Sequence, residues 1–315
     1  MSRFLASLAR RGTLVLDGAL ATELERRGAD LDHPLWSARC LLETPELLTD
    51  VHRAYMRAGA DVITTAGYQA SVRGFEALGL DRVEAERCYR SSIQLAASAV
   101  DEHVRSRALS VDDRPLVAAS VGPYGAFLAD GSEYRGGYAA TDAELAAFHR
   151  EQLRLVAHAW SERRVDIVAC ETVPSVREAR VLAEAVTELG LQAWIAFSCR
   201  NASETSEGQD VAEAARALEG YEGVVALGFN CTAPEHASAL LARLADATDL
   251  PLVAYPNSGE SYDVERRGWR GAPSSSTEPS AWWDAGASLL GGCCRTGPDD
   301  VAAIRAWRDA RAARP

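Results

Sequence analysis

Eight short β-type runs alternate with amphipathic helical runs along 315 residues, and no Gly-rich dinucleotide fingerprint opens any of the helices. Eight strand–helix units of that regularity predict an α/β fold, a single (β/α)8 TIM barrel spanning residues 1–315. An open doubly wound sheet built from the same elements is the competing arrangement.

The elements follow in order. The N-terminal stretch carries Arg10 and Arg11 right after a short apolar run, which reads as a lead-in helix and not a signal peptide. LVLDG (14–18) is the first strand, 45–60 is helical and DVITTAGYQ (61–69) is the second strand. A long helix over 81–105 precedes the third strand, PLVAASVGP (115–123). Leu145, Phe148, Leu153, Val156 and Trp160 fall at helical spacing within 141–164. DIVACETV (166–173), QAWIAFSC (192–199), GVVALGFNC (223–231), PLVAYPN (251–257) and ASLLGGCC (287–294) complete the strands. Helices at 175–190, 209–219, 234–249, 278–286 and the C-terminal PDDVAAIRAWRDARA run separate or follow them. Residues 258–280 are too long and too rich in Gly, Ser and Pro for a plain connection, so they are the expected lid or substrate loop.

Composition removes several functions. Thirty-three basic against 45 acidic residues give a net charge of −12, the wrong sign for a nucleic-acid partner. No apolar run reaches membrane-spanning length. Every basic residue is arginine, which excludes a Schiff-base, pyridoxal-phosphate or P-loop lysine. Seven cysteines, an odd number with no export signal, predict a reduced cytoplasmic setting in which metal binding or catalysis outranks a disulfide framework.

In such a barrel the active site lies at the carboxyl ends of the strands. There this sequence places Asp17, Gly18, Thr64, Thr65, Ser120, Glu171, Thr172, Ser198, Asn230, Tyr255, Asn257 and five of the seven cysteines: Cys170, Cys199, Cys231, Cys293 and Cys294. Adjacent residues on a regular strand point to opposite faces, so Cys293 and Cys294 can share one ion only beyond the strand's end. Gly291, Gly292, Gly297 and Pro298 permit that irregular backbone. Two thiolates and a third from a neighbouring strand suit Zn2+ with one open position, and such soft ligands do not suit Mg2+ or Ca2+. By position alone the third ligand is Cys231, Cys199 or Cys170, with His236 a distant fourth. A redox pair or two small structural residues are the competing readings of Cys293–Cys294. The other histidines (His33, His52, His103, His149, His158) lack paired spacing and read as packing or surface residues.

LDGALATEL (16–24), ETVPSVREA (171–179), GFNC (228–231) and GGCCRTGP (291–298) together resemble the homocysteine S-methyltransferase family over about residues 10–307. That resemblance implies a zinc-dependent barrel methylating homocysteine to methionine. Cys231, Cys293 and Cys294 fall on the family's ligand positions. HPLWSARCLL (33–42) and TTAGYQASVRGF (64–75) are similar to the branch using S-methylmethionine or S-adenosylmethionine. Betaine-type members carry a tyrosine where this chain has Thr172, and the chain has no room for cobalamin or folate modules. Asp17 and Glu171 match substrate positions suited to an ammonium, with Gly18 allowing close backbone approach. A turn or cap role for Asp17, and a helix-start charge for Glu171, are the plainer readings. Thr65 and Asn230 are expected to orient substrate or the groups that hold it, and Trp36 and Tyr68 to face a sulfonium or to pack in the core. A betaine-dependent enzyme, a selenocysteine or other thiol methyltransferase, a thiol redox protein and a non-catalytic zinc-binding barrel are the alternatives. Oligomeric state is left open.

Overall fold

The computed structural model describes residues 2–312 except 34, 264–267 and 274–277. Parallel strands β1 (Leu14–Val15), β2 (Val62–Thr64), β3 (Leu116–Val121), β4 (Ile167–Val173), β5 (Ala193–Phe197), β6 (Val224–Asn230) and β7 (Leu252–Tyr255) pair in a sheet. A small antiparallel hairpin, β8 (Ser261–Asp263) and β9 (Gly268–Arg270), follows, and then β10 (Ala287–Leu290) enters the sheet between β7 and β1. A parallel bridge from Leu16 to Val62 joins the two ends, so the sheet closes into the expected barrel.

Side chains alternate along each strand, and this splits the apolar residues into two layers. Leu14, Leu16, Val62, Leu116, Ala118, Ile167, Ala169, Trp194, Ala196, Val253 and Leu289 fill the barrel's interior. Their outward neighbours, such as Val15, Ile63, Val117, Val168 and Ile195, pack under the helices. The helix Arg3–Arg11 adds Phe4 and Leu8 to the inner layer, with the Phe4 ring 6.3 Å from that of Trp194. Helix starts follow local chemistry. Asp81 and Thr141 form capping boxes with Glu84 and Glu144, and Ser175 caps Val176–Glu188. Each such cap contributes about 1 kcal/mol.

Three expected boundaries are corrected. The first strand leaves the sheet after Val15 apart from the Leu16 bridge, and the second ends at Thr64 instead of running to 69. There the Asp17 carboxylate accepts the Thr64 N–H at 2.7 Å, replacing a ladder bond, and the chain turns toward the helix Val72–Ala77. The last strand stops at Leu290, so Gly291 to Cys294 lie outside it. The 258–280 segment contains the β8–β9 hairpin, while 264–267 and 274–277 lie outside the described residues. Its base is tied down: the Ser258 N–H donates to the Cys294 carbonyl at 3.1 Å and Arg295 pairs with Glu260 at 3.1 Å. No helix among the described residues is long and apolar enough to cross a membrane.

Gly228 pairs with Val253 where β6 and β7 approach closely, and a Cβ there would overlap the Val253 carbonyl oxygen. Gly228→Ala must push two central strands apart, an overpacking cost of about 1–3 kcal/mol or more. Thermal unfolding should show a lowered midpoint, and an unchanged midpoint would contradict this packing.

Candidate metal and substrate site

Counting in twos up the barrel interior leads from apolar to polar side chains. Leu116 and Ala118 lead to Ser120, Ile167 and Ala169 to Glu171, and Ala226 and Gly228 to Asn230. These polar residues floor a cavity of about 670 Å³ at the carboxyl ends of the strands. Asp17, Gly18, Thr65, Glu171, Asn230, Tyr68, Trp36 and all three expected metal ligands line it.

The same parity sorts the cysteines. Cys170 falls on the outward face of β4 and packs in the helix layer, and burial raises its thiol far above the ordinary value. Cys199, past the end of β5, also lies against that layer, with its thiol pushed up to about 12 by burial. Cys231 follows inward-facing Asn230 and would point outward on a regular strand. Its φ of +47° breaks that pattern, and its sulfur lies 3.3 Å from that of Cys294. The sulfurs of Cys231, Cys293 and Cys294 all lie within 4.8 Å of one another. His236, on the 3-10 turn Pro234–His236, does not join them.

Three thiols this close share protons. Hydrogen bonds from Cys293 and Cys294 hold the Cys231 thiol well below its ordinary value, and the same contacts hold the other two well above theirs. Tyr134 donates its phenol to Cys231 Sγ at 3.7 Å, and Asn230 Nδ2 reaches Cys293 Sγ at 3.7 Å. Tetrahedral Zn2+ with Zn–S bonds of about 2.3 Å places sulfurs roughly 3.8 Å apart. Separations of 3.3 Å for one pair, and no more than 4.8 Å for any, suit such an ion with little adjustment.

Two buried carboxyls stand elsewhere on the cavity wall. Asp17 accepts from the Thr64 N–H at 2.7 Å and from its hydroxyl at 2.8 Å, and burial pushes its pKa up to about 7. Glu171 accepts from the Ser120 hydroxyl at 2.5 Å. Burial, reinforced by the charge of Asp17, pushes Glu171 up to about 8. The Thr65 hydroxyl accepts the Ser120 N–H at 3.0 Å and so fixes the strand that presents Ser120. Asn230 binds Thr172 twice, accepting its N–H at 2.6 Å and donating to its hydroxyl at 2.8 Å, which holds Thr172 at a φ of +58°. A Cβ on Gly18 would come within 3.0 Å of Tyr55, so the close approach it allows is to the protein's own ring. Trp36 and Tyr68 are half-buried along the cavity, and the Tyr68 hydroxyl has no hydrogen-bond partner.

Sequence reasoning missed Glu133 and Tyr134, which reach the cavity from the 3-10 turn Ser132–Tyr134. That turn lies beyond the helix Tyr124–Leu128, well past the end of β3 in the chain. No described residue of 258–280 lines this cavity.

The raised carboxyls have a thermodynamic signature in the empty protein. Their stabilisation is complete below the ordinary values of 3.8 and 4.5 and is lost as pH rises through about 7 and about 8. Asp17→Asn removes one of them. Urea unfolding of this variant should lose less stability than wild type between about pH 5 and about pH 8, and equal slopes would contradict a buried, protonated Asp17.

The sequence profile described as Homocysteine S-methyltransferase matches residues 14–307. Homocysteine S-methyltransferase YbgG of Bacillus subtilis is 44% identical over 299 residues, covering 93% of this chain and 94% of its own. Selenocysteine Se-methyltransferase of Brassica oleracea var. italica is 43% identical, covering 93% and 88%. The metallated form of the homocysteine methyltransferase MmuM from Escherichia coli superimposes with a TM-score of 0.85 at 41% identity, covering 97% of this chain and 99% of its own. With its profile matched along nearly the whole barrel and relatives this similar, the chain belongs to the homocysteine S-methyltransferase family.

Proposed function

We propose that this protein transfers a methyl group from a sulfonium donor, S-methylmethionine or S-adenosylmethionine, to the thiolate of L-homocysteine, giving methionine. The observation that carries the reading is the gathering of the Cys231, Cys293 and Cys294 sulfurs on the wall of a cavity that also holds two buried carboxyls. Three thiolates are the donor set expected of Zn2+, and the metallated MmuM relative supports a metal here. Zinc bound there supplies a lowered pKa for an incoming thiol and a fixed place for its sulfur.

This chain's residues supply the rest. Asp17 and Glu171 take the homocysteine ammonium, which returns both carboxyls to their ionised form. Asn230 and Thr65 hold the strand ends that carry these groups. Trp36 and Tyr68 offer ring faces to the sulfonium. The S–CH3 bond of the donor breaks as the homocysteine sulfur forms its own. The thiol proton is lost beforehand, and both sulfurs end as neutral thioethers. Opposite charges cancel, so a cavity that excludes water favours the step. Positioning alone contributes about 7–11 kcal/mol.

The same reading takes 1–315 as one catalytic unit in the reduced cytoplasm. It assigns 258–280 to a segment that responds to substrate, because its base is bonded to Cys294 and Arg295. The selenocysteine-methylating relative makes a selenol the natural second acceptor to assay.

Purified protein given homocysteine should form methionine with S-methylmethionine, with S-adenosylmethionine, or with both. No product from any sulfonium would end the proposal. Metal analysis should find about one zinc per chain. Cys294→Ser should lose the metal and nearly all turnover, and an active zinc-free variant would remove the mechanism.

A further inference from the structure

We propose that Glu133 seats the ammonium group of the methyl donor, making the site selective for sulfonium donors that are themselves amino acids. This rests on the methyl-transfer reading and names a determinant of its donor. Homocysteine and either donor each bring an ammonium into one cavity. The methyl-transfer reading gives Asp17 and Glu171, which line the cavity together, to the homocysteine ammonium, so a second ammonium needs a further carboxylate.

The other carboxylates lining the cavity are Glu25, Asp30, Asp32 and Glu133. The first three are exposed, where a salt bridge contributes little. Glu133 differs. Its Oε2 is sealed from solvent and has no hydrogen-bond partner, an arrangement that is costly unless something occupies the position. The Tyr68 hydroxyl is buried as well, and the charge of Glu133 acts on it ahead of those of Cys231 and Cys294. Both residues line the cavity that also holds the three sulfurs. A carboxylate and a phenol oxygen together suit a primary ammonium with its three donors.

The backbone under Glu133 is fixed. Ser132 N–H donates to Asp130 Oδ1 at 2.9 Å, and the Ser198 hydroxyl donates to the Glu133 carbonyl at 2.9 Å. Gly125 packs so closely against the Glu133 backbone that a Cβ would lie 2.5 Å from its nitrogen. The next residue, Tyr134, reaches Cys231 Sγ at 3.7 Å. One short turn therefore ties the Glu133 carboxylate to one of the three sulfurs that would hold the metal.

The test compares zinc-loaded wild type with Glu133→Gln at saturating homocysteine. S-methylmethionine is one donor, and dimethylsulfoniopropionate, which has a sulfonium but no ammonium, is the other. Wild type should favour S-methylmethionine. Glu133→Gln should raise its KM roughly 10- to 100-fold, the loss expected for one charged hydrogen bond. The KM for homocysteine should stay within about twofold, so that the preference between donors collapses, and Glu133→Asp should recover part of it. An unchanged KM for S-methylmethionine, or an equal loss with both donors, overturns the assignment. Calorimetric titration of S-methylmethionine into both proteins, with thermal midpoints as a folding control, reads the same contrast without turnover. A wild type that makes no methionine therefore defeats the methyl-transfer reading, while the binding contrast still decides the role of Glu133.

Discussion

The site depends on one backbone angle. A regular β6 would carry Cys231 outward with its odd-numbered neighbours, and two sulfurs on the β10 side would then face an empty wall. The φ of +47° at Cys231 turns its thiol back toward Cys293 and Cys294. For a residue with a Cβ, this left-handed conformation costs of order 1–3 kcal/mol. Bonds on either side offset it. The Cys231 N–H still donates to the Tyr255 carbonyl at 3.3 Å, and Asn230 before it is fixed by Thr172. The opposite half repeats the device: Arg295, directly after the cysteine pair, has a φ of +71°, and its N–H donates to the Thr22 hydroxyl at 3.0 Å. A left-handed residue thus stands in each of the two stretches that carry the thiols, at Cys231 itself and directly after Cys294.

Above the apolar interior, buried polar groups could have destabilised the barrel. They do not stand alone, because strand ends pair them: Asp17 with Thr64 and Glu171 with Ser120 between neighbouring strands, and Asn230 with Thr172 across β5. Each pair joins two different strands, so the layer that would receive substrate also ties the barrel's open end together. The two carboxyls sit where burial favours their neutral form, and the cavity's effective charge is milder than a chain of net charge −12 suggests.

Much of this was legible in the residues. The alternation of strand and helix patterns fixed the number of units, and closure follows from it. Gly291 and Gly292 before the cysteine pair signalled that the strand had ended, as it does at Leu290. The third ligand could not be chosen by position or by strand parity: Cys170, Cys199 and Cys231 each sit one residue beyond an inward-facing Ala169, Ser198 or Asn230, and the left-handed φ at Cys231 is what turns its thiol back. Boundaries of the first two strands were overrun because a side chain, Asp17, replaces the ladder bond at Thr64. Hydrophobic periodicity carries no trace of that substitution. Glu133 and Tyr134 were invisible for another reason. They sit on a turn set by the left-handed Ala129 and Gly131, and such a turn has no period to read.

This last class of residue bears on how relatives with one barrel can differ in donor. The strand ends are constrained twice, by the ladder and by the polar pairs that close the barrel's mouth, so groups placed there have little freedom to change. The Ser132–Tyr134 turn is held outside the sheet, by bonds to Asp130 and Ser198, by the packing of Gly125 on its backbone and by the Tyr134 contact with Cys231. A substitution at Glu133 would leave those backbone bonds intact and disturb no strand. On the proposed reading, recognition of homocysteine belongs to the rigid floor, and recognition of the methyl donor to a loop that can change without unfolding the barrel.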